Sequence, residues 1–102
     1  MDKEKAYVFV RKYIDILIKK KYNIKNAYIF GSYAKNNYNK DSDIDLALII
    51  YDLKDSFALD IELIKLTKDF NYIIEPHSFD VKDFNINNPV AYEIMNAGIK
   101  IM

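Results

Sequence analysis

Residues Gly31 to Leu48 read GSYAKNNYNKDSDIDLAL, and this stretch decides the fold. It contains a glycine-serine turn, ten intervening residues, an Asp-x-Asp pair and the start of an apolar strand. Ala27 to Phe30, just before it, is a short run of strand-forming residues that Gly31 stops. A glycine there lets the backbone bend sharply and come close to a ligand. The amides that follow, with the Ser32 hydroxyl, can then face an anion. Asp43 and Asp45 stand two apart at the mouth of a strand, so their side chains share one face. Ile44, Leu46 and Leu48 point the other way, into a core. Carboxylates so placed repel one another unless a cation lies between them, and Asp41 just upstream adds to the repulsion. A hard divalent ion resolves this, since Mg²⁺ pairs one or two carboxylates with substrate phosphates. An anion-binding turn opposite a cation-binding pair makes a coherent site for a nucleoside triphosphate.

Working outward, Lys3 to Lys21 has a helical pattern, with Tyr7, Val10, Ile14, Leu17 and Ile18 on one stripe. Lys19, Lys20 and Lys21 suit the negative end of its dipole. Ser32 to Asn39 reads as a loop with one helical turn at most, and Asp43 to Tyr51 as a buried central strand. A second helix is predicted from Ser56 to Phe70, with Leu59, Leu63, Leu66 and Phe70 on one face and Asp55 or Ser56 as its N-cap. Tyr72 to Ile74 leads into Glu75 and Pro76, a short strand that the proline is expected to end. Asn88-Pro89 opens a third helix that carries Val90, Ile94 and Met95, with Gly98 at its C-terminal cap. Ile99 to Met102 can add a last edge strand. This order predicts an α/β (α+β) domain, a small mixed β-sheet with helices packed on it.

Composition narrows the classes. The chain has 102 residues, 51% of them apolar and 15% aromatic, which excludes disorder and fits one domain over residues 1–102. Fifteen basic and fifteen acidic residues give zero net charge, which argues against a protein built to grip a nucleic-acid backbone. With no cysteine there is no disulfide, thiolate metal site or cysteine nucleophile. No apolar run nears the ~20 residues of a membrane span. The opening MDKEKAYVFVRK lacks the apolar stretch of a signal peptide, so a cytoplasmic location is expected.

Gly-Ser, ten residues, then Asp-x-Asp resembles the signature of the DNA polymerase β-type nucleotidyltransferase superfamily. Ala34 and Lys35, the run SDIDLAL from Ser42 to Leu48, and NPVAYEIMNAGIKI from Asn88 to Ile101 resemble its minimal nucleotidyltransferase (MNT) domains. The resemblance covers nearly the whole chain and implies the nucleotidyltransferase fold. It also implies that Gly31 and Ser32 hold the triphosphate of ATP, with Lys35 steadying a phosphate. Asp43 and Asp45 would bind two Mg²⁺ ions, and a third acidic residue would complete the site. Glu75 is the candidate for that third ligand and catalytic group, being the only acidic residue between Asp69 and Asp80. His77, two positions on, could face the same cleft or simply be hydrogen-bonded locally.

Two departures stand out. Family members commonly have glycine near position 36, whereas this chain has Asn36 and Asn37; asparagine best replaces glycine in left-handed backbone. Tyr33 stands where arginine is frequent, and its ring can flank a nucleotide or pack. The activity implied is Mg²⁺-dependent transfer of AMP from ATP to a hydroxyl. Among minimal domains the acceptor is a tyrosine of a HEPN-type ribonuclease toxin, which the domain silences as antitoxin. A catalytically lapsed antitoxin that acts by binding alone is an alternative, as is an enzyme acting on a small molecule of the aminoglycoside type. Assembly with itself or with the toxin is open to such a domain.

Overall fold

Asp2 starts the first helix, α1 (Lys3–Lys19), by accepting a hydrogen bond from the Lys5 amide, in a computed structural model that describes residues 1–102. The helix buries Ala6, Val10, Tyr13, Ile14 and Leu17. Of the expected stripe, Tyr7 is half-buried and Ile18 lies outside the contact, because Ala6 and Tyr13 take the inward positions instead. Lys20 caps the helix and Lys21 turns out of it at a φ of 72°.

Four strands form one mixed sheet in the order β3-β2-β1-β4. They are β1 (Ile24–Phe30), β2 (Ile44–Ile50), β3 (Ile74–Asp80) and β4 (Ile99–Lys100). The β1–β2 and β1–β4 pairs are antiparallel and the β2–β3 pair is parallel. A parallel pair needs a crossover, which α2 (Ser56–Lys65) supplies. Ile44, Leu46, Leu48 and Ile50 form one core with α1 and with Leu63 of α2. Ala47 and Ile49 face the opposite side, against Ile94 of α3 (Pro89–Ala97). The central strand is therefore covered on both faces, as its continuous apolar run required.

The second helix is shorter than its pattern predicts. It is capped by Asp55, ends at Lys65, and gives way to a 3-10 turn over Lys68–Phe70. Leu63 and Phe70 are buried and Leu59 and Leu66 half-buried, so the apolar face survives the break. The Tyr13 hydroxyl donates to the Leu63 carbonyl at 2.7 Å and ties α1 to this end of α2.

The third strand corrects the sequence reading more substantially: it does not stop at Pro76 but runs on to Asp80. Its position explains why. β3 is an edge strand, and the Ser78 amide turns away from β2 to donate to Asp60 of α2 at 2.8 Å. Pro76 has the same parity, so the N–H it lacks would also have faced away from the ladder.

Asn88 caps α3 by accepting from the amides of Val90 and Ala91, with Pro89 at the first position. Gly98 closes the helix in extended backbone, φ −80° and ψ 170°, not in the left-handed region. Close approach is what requires glycine here. A β-carbon would stand 2.4 Å from the Ile94 carbonyl oxygen and 3.2 Å from that of Ile29. The tail then pairs with β1 through Ile99 and Lys100, and the Ile101 and Met102 amides both bond the Ala27 carbonyl. No helix is long and apolar enough to cross a membrane.

Candidate functional site

Register builds the site. In the parallel pair Asp45 stands opposite Glu75 and Ala47 opposite His77, while on the other side Phe30 stands opposite Asp45. Side chains alternate along strands, so Asp45, Glu75 and His77 all face the side of the sheet that carries α3. Ligand atoms of these three residues lie within 4.8 Å of one another. Nε2 of His77 is 3.5 Å from Oδ1 of Asp45 and 3.6 Å from Oε1 of Glu75. Holding two carboxylates this close costs on the order of 3 kcal/mol at an effective dielectric of 20, and less for partly exposed groups. Their side chains are 28% and 49% exposed. Full burial of Ile44, Leu46 and Leu48 contributes about 1.5–3 kcal/mol each, so the core can hold the charges together.

His77 carries a raised pKa. The Asp45 carboxylate is the main cause, burial opposes it, and the charges of Glu75 and Asp45 add to the rise. At 3.5 Å the contact is longer than a well-formed hydrogen bond, and buried Nε2 has no hydrogen-bond partner. The Phe30 ring packs edge-on against the imidazole, centroids 5.3 Å apart, and fixes its plane.

The glycine-serine turn meets this cluster directly. Gly31 ends β1 at a φ of 71°, and a β-carbon on it would lie 2.3 Å from Oδ2 of Asp45. The chain then makes a single helical turn in which the Lys35 amide bonds the Gly31 carbonyl and the Asn37 amide that of Ser32. The amides of Ser32, Tyr33 and Ala34 donate to no other group of the protein, the arrangement that receives an anion at a helix start. Asn36 adopts a φ of 59°, the left-handed conformation that glycine would otherwise supply.

Two neighbours of the turn are accounted for within the protein. Tyr33 is fully buried, stacks on Tyr38 at 4.4 Å and donates to the Met1 carbonyl at 3.1 Å, so it packs and is not free to flank a ligand. Lys35 is exposed and paired with Glu93 of α3 at 3.2 Å. Phe30, Gly31, Ala34, Lys35 and Ile94 line a cleft between the turn and α3. A larger polar hollow lies at the far end of β3, among Leu53, Ser78, Asp80 and Asn85, away from the carboxylates.

Asp43 is exposed just before β2 and lies outside the Asp45, Glu75 and His77 group. The structure thus sets Gly31 against Asp45 and groups Asp45 with Glu75, with Ser32 next in the turn, Asp43 at the strand mouth and Lys35 on the cleft beside the turn. The donor set fits a divalent cation, with two carboxylates and an unpaired ring nitrogen converging on one point. His77 joins this group, resolving the choice between a residue that faces the cleft and one hydrogen-bonded locally. Its only signal was the two-residue step from Glu75, which becomes decisive once β3 is known to run past Pro76.

Comparison with known proteins identifies the family. The family described as "Polymerase beta, Nucleotidyltransferase" matches residues 12–102. A Methanocaldococcus jannaschii protein named "Putative protein adenylyltransferase MJ0604" is 34% identical over 90 residues, covering 83% of this chain and 85% of that protein. Two further M. jannaschii proteins match over shorter stretches, and the alignments span only 40% and 50% of their lengths. Among solved structures, a toxin-antitoxin crystallised with AMP-PNP superposes with a TM-score of 0.67 at 24% identity, covering 90% of this chain and 71% of that one. A Shewanella oneidensis complex of a tri-AMPylated HEPN toxin with an MNT antitoxin gives 0.62 at 22% identity, covering 93% and 70%. At these identities the superpositions speak for the fold. The match of the family across residues 12–102, on a sheet that sets Asp45 against Gly31, makes this chain a member of the polymerase beta nucleotidyltransferase family.

Proposed function

We propose that the chain is a Mg²⁺-dependent nucleotidyltransferase that moves AMP from ATP to a hydroxyl, a tyrosine of a HEPN-type toxin, with release of pyrophosphate, and so acts as an antitoxin. The carrying observation is the contact of Gly31 with the Asp45 carboxylate beside Glu75. It sets the anion-receiving turn beside the acidic cluster, so amides and cations could act on the same phosphates. Names of similar proteins support the reading. The M. jannaschii relative is named an adenylyltransferase, and the Shewanella complex pairs an MNT antitoxin with an AMPylated HEPN toxin.

In this mechanism Ser32 and the free amides of the turn bind the β and γ phosphates and orient the chain of the triphosphate. Asp45, Glu75 and Asp43 would hold two Mg²⁺ ions. Ions bound there would supply charge neutralisation for the attacking and leaving oxygens. Glu75, half-exposed on the edge strand, would coordinate the ion nearer the acceptor or accept the proton of the incoming hydroxyl. Catalysis is then mostly positioning and charge stabilisation, which suits so small a domain.

The departures that pointed to a lapsed enzyme have structural explanations. Asn36 keeps the left-handed turn, and Tyr33 is a core residue. The test is incubation with labelled ATP, Mg²⁺ and the product of the neighbouring gene. The partner becomes labelled, and Asp45→Ala abolishes the label. Equal labelling by that variant overturns the proposal, as does activity on aminoglycosides with no protein acceptor.

A further inference from the structure

We propose that His77 is a metal ligand through Nε2, held jointly with Asp45 and Glu75, so that this site takes a dication of the Zn²⁺ or Co²⁺ type more tightly than Mg²⁺. The inference deepens the reading above, since it takes the same carboxylates as the place where a cation sits. Its evidence, however, is the donor set alone.

The three donors lie close enough to share one ion. Nε2 is 3.5 Å from Asp45 Oδ1 and 3.6 Å from Glu75 Oε1, and the ligand atoms all stand within 4.8 Å of one another.

Chemistry sets the type of ion. Mg²⁺ takes oxygen ligands and keeps much of its water, whereas imidazole suits Zn²⁺ and its transition-metal neighbours. One imidazole and two carboxylates supply three ligands and leave a fourth position for a substrate oxygen or water.

Burial adds an independent observation. Nε2 is shut off from solvent, and its nearest polar neighbours are the two carboxylates at 3.5 and 3.6 Å. A dication between the carboxylates would find this donor already facing it and screened from water. The Phe30 ring and the pairing of His77 with Ala47 already hold the imidazole in place, so little ordering is needed on binding.

The composition makes the test sharp, because His77 is the only histidine and there is no cysteine. Tag-free protein labelled with ¹⁵N-histidine is titrated with Zn²⁺ alone, without nucleotide or acceptor. The single Nε2 resonance moves to the metal-bound position at one equivalent. In parallel, Co²⁺ gives the intense visible bands of four- or five-coordinate geometry and resists displacement by Mg²⁺ present at about tenfold excess. His77→Gln lowers Co²⁺ affinity about 10–100-fold or more and leaves Mg²⁺ affinity within about twofold. An Nε2 resonance unmoved at Zn²⁺ saturation overturns the inference, and so does Co²⁺ binding no tighter than Mg²⁺. The nitrogen spectrum of unmutated protein decides even where the variant fails to fold. Protein that binds Co²⁺ through His77 but transfers no AMP keeps this inference and loses the proposed reaction. Transfer with Mg²⁺ and an unmoved Nε2 does the reverse.

Discussion

Gly31 and Asp45 meet so closely that a single added carbon on the glycine would stand 2.3 Å from the aspartate's Oδ2. The contact joins the end of β1 to β2 at the point where Phe30 pairs with Asp45. Turn and carboxylate are thus one built unit, each fixing the position of the other.

Gly31→Ala therefore meets two penalties. The φ of 71° is strained for any L side chain, and the new methyl displaces the carboxylate. Together these lower stability by about 2–4 kcal/mol, read from urea unfolding midpoints. Labelled AMP transfer falls at least about a hundredfold, because Asp45 moves from its place.

Asp45→Asn separates charge from shape. Transfer falls about 10²–10³-fold. Thermal unfolding changes little, since Glu75 loses a like-charged neighbour while His77 loses the carboxylate that raises its pKa. A loss of activity accompanied by a collapse in melting temperature would contradict this assignment.

Tyr13→Phe tests the tie between α1 and α2. The hydroxyl is buried, its pKa is pushed above the ordinary phenol value by burial, and its bond to the Leu63 carbonyl measures 2.7 Å. That carbonyl also accepts from the Leu66 amide, so it is not orphaned by the change. The expected loss is about 1–1.5 kcal/mol in urea unfolding, with AMP transfer per folded molecule unaltered.

Asp80 predicts an acid dependence. Its carboxylate accepts from the Lys82 and Leu53 amides, which hold its pKa below the ordinary value. A depressed pKa means the unfolded chain takes up the proton first. The stabilisation is therefore complete above about pH 4 and lost as pH falls through the lower folded value. Asp80→Asn should lower stability at neutral pH and flatten the decline between pH 5 and 2; an unchanged slope in chemical unfolding would refute the linkage.

Much of the fold was legible because it depends on local pattern. The α1 stripe, the apolar run of β2, the Asn88 cap and the Asn36 substitution each follow from residues within a turn or two of one another. Boundaries set by distant partners were not. Whether Pro76 ends a strand depends on which side of β3 is bonded, and that is fixed by α2 and Asp60. Likewise Tyr33 reads as either a packing or a ligand-facing ring until its burial against Tyr38 and Met1 is known. The acidic pair was visible as a motif, but the grouping is across strands. Asp45 meets Glu75 and His77 through parallel pairing, while Asp43, its near neighbour in sequence, stays outside the group.

Because β3 is the outer strand and carries both Glu75 and His77, the site is complete only while the margin of the sheet stays paired. An opening confined to that margin would dismantle the cluster and leave the β1–β2 pair, with the turn and Asp45, assembled. A partner that clasps this margin would raise the fraction of time the site is complete, with no change in the chemistry it performs.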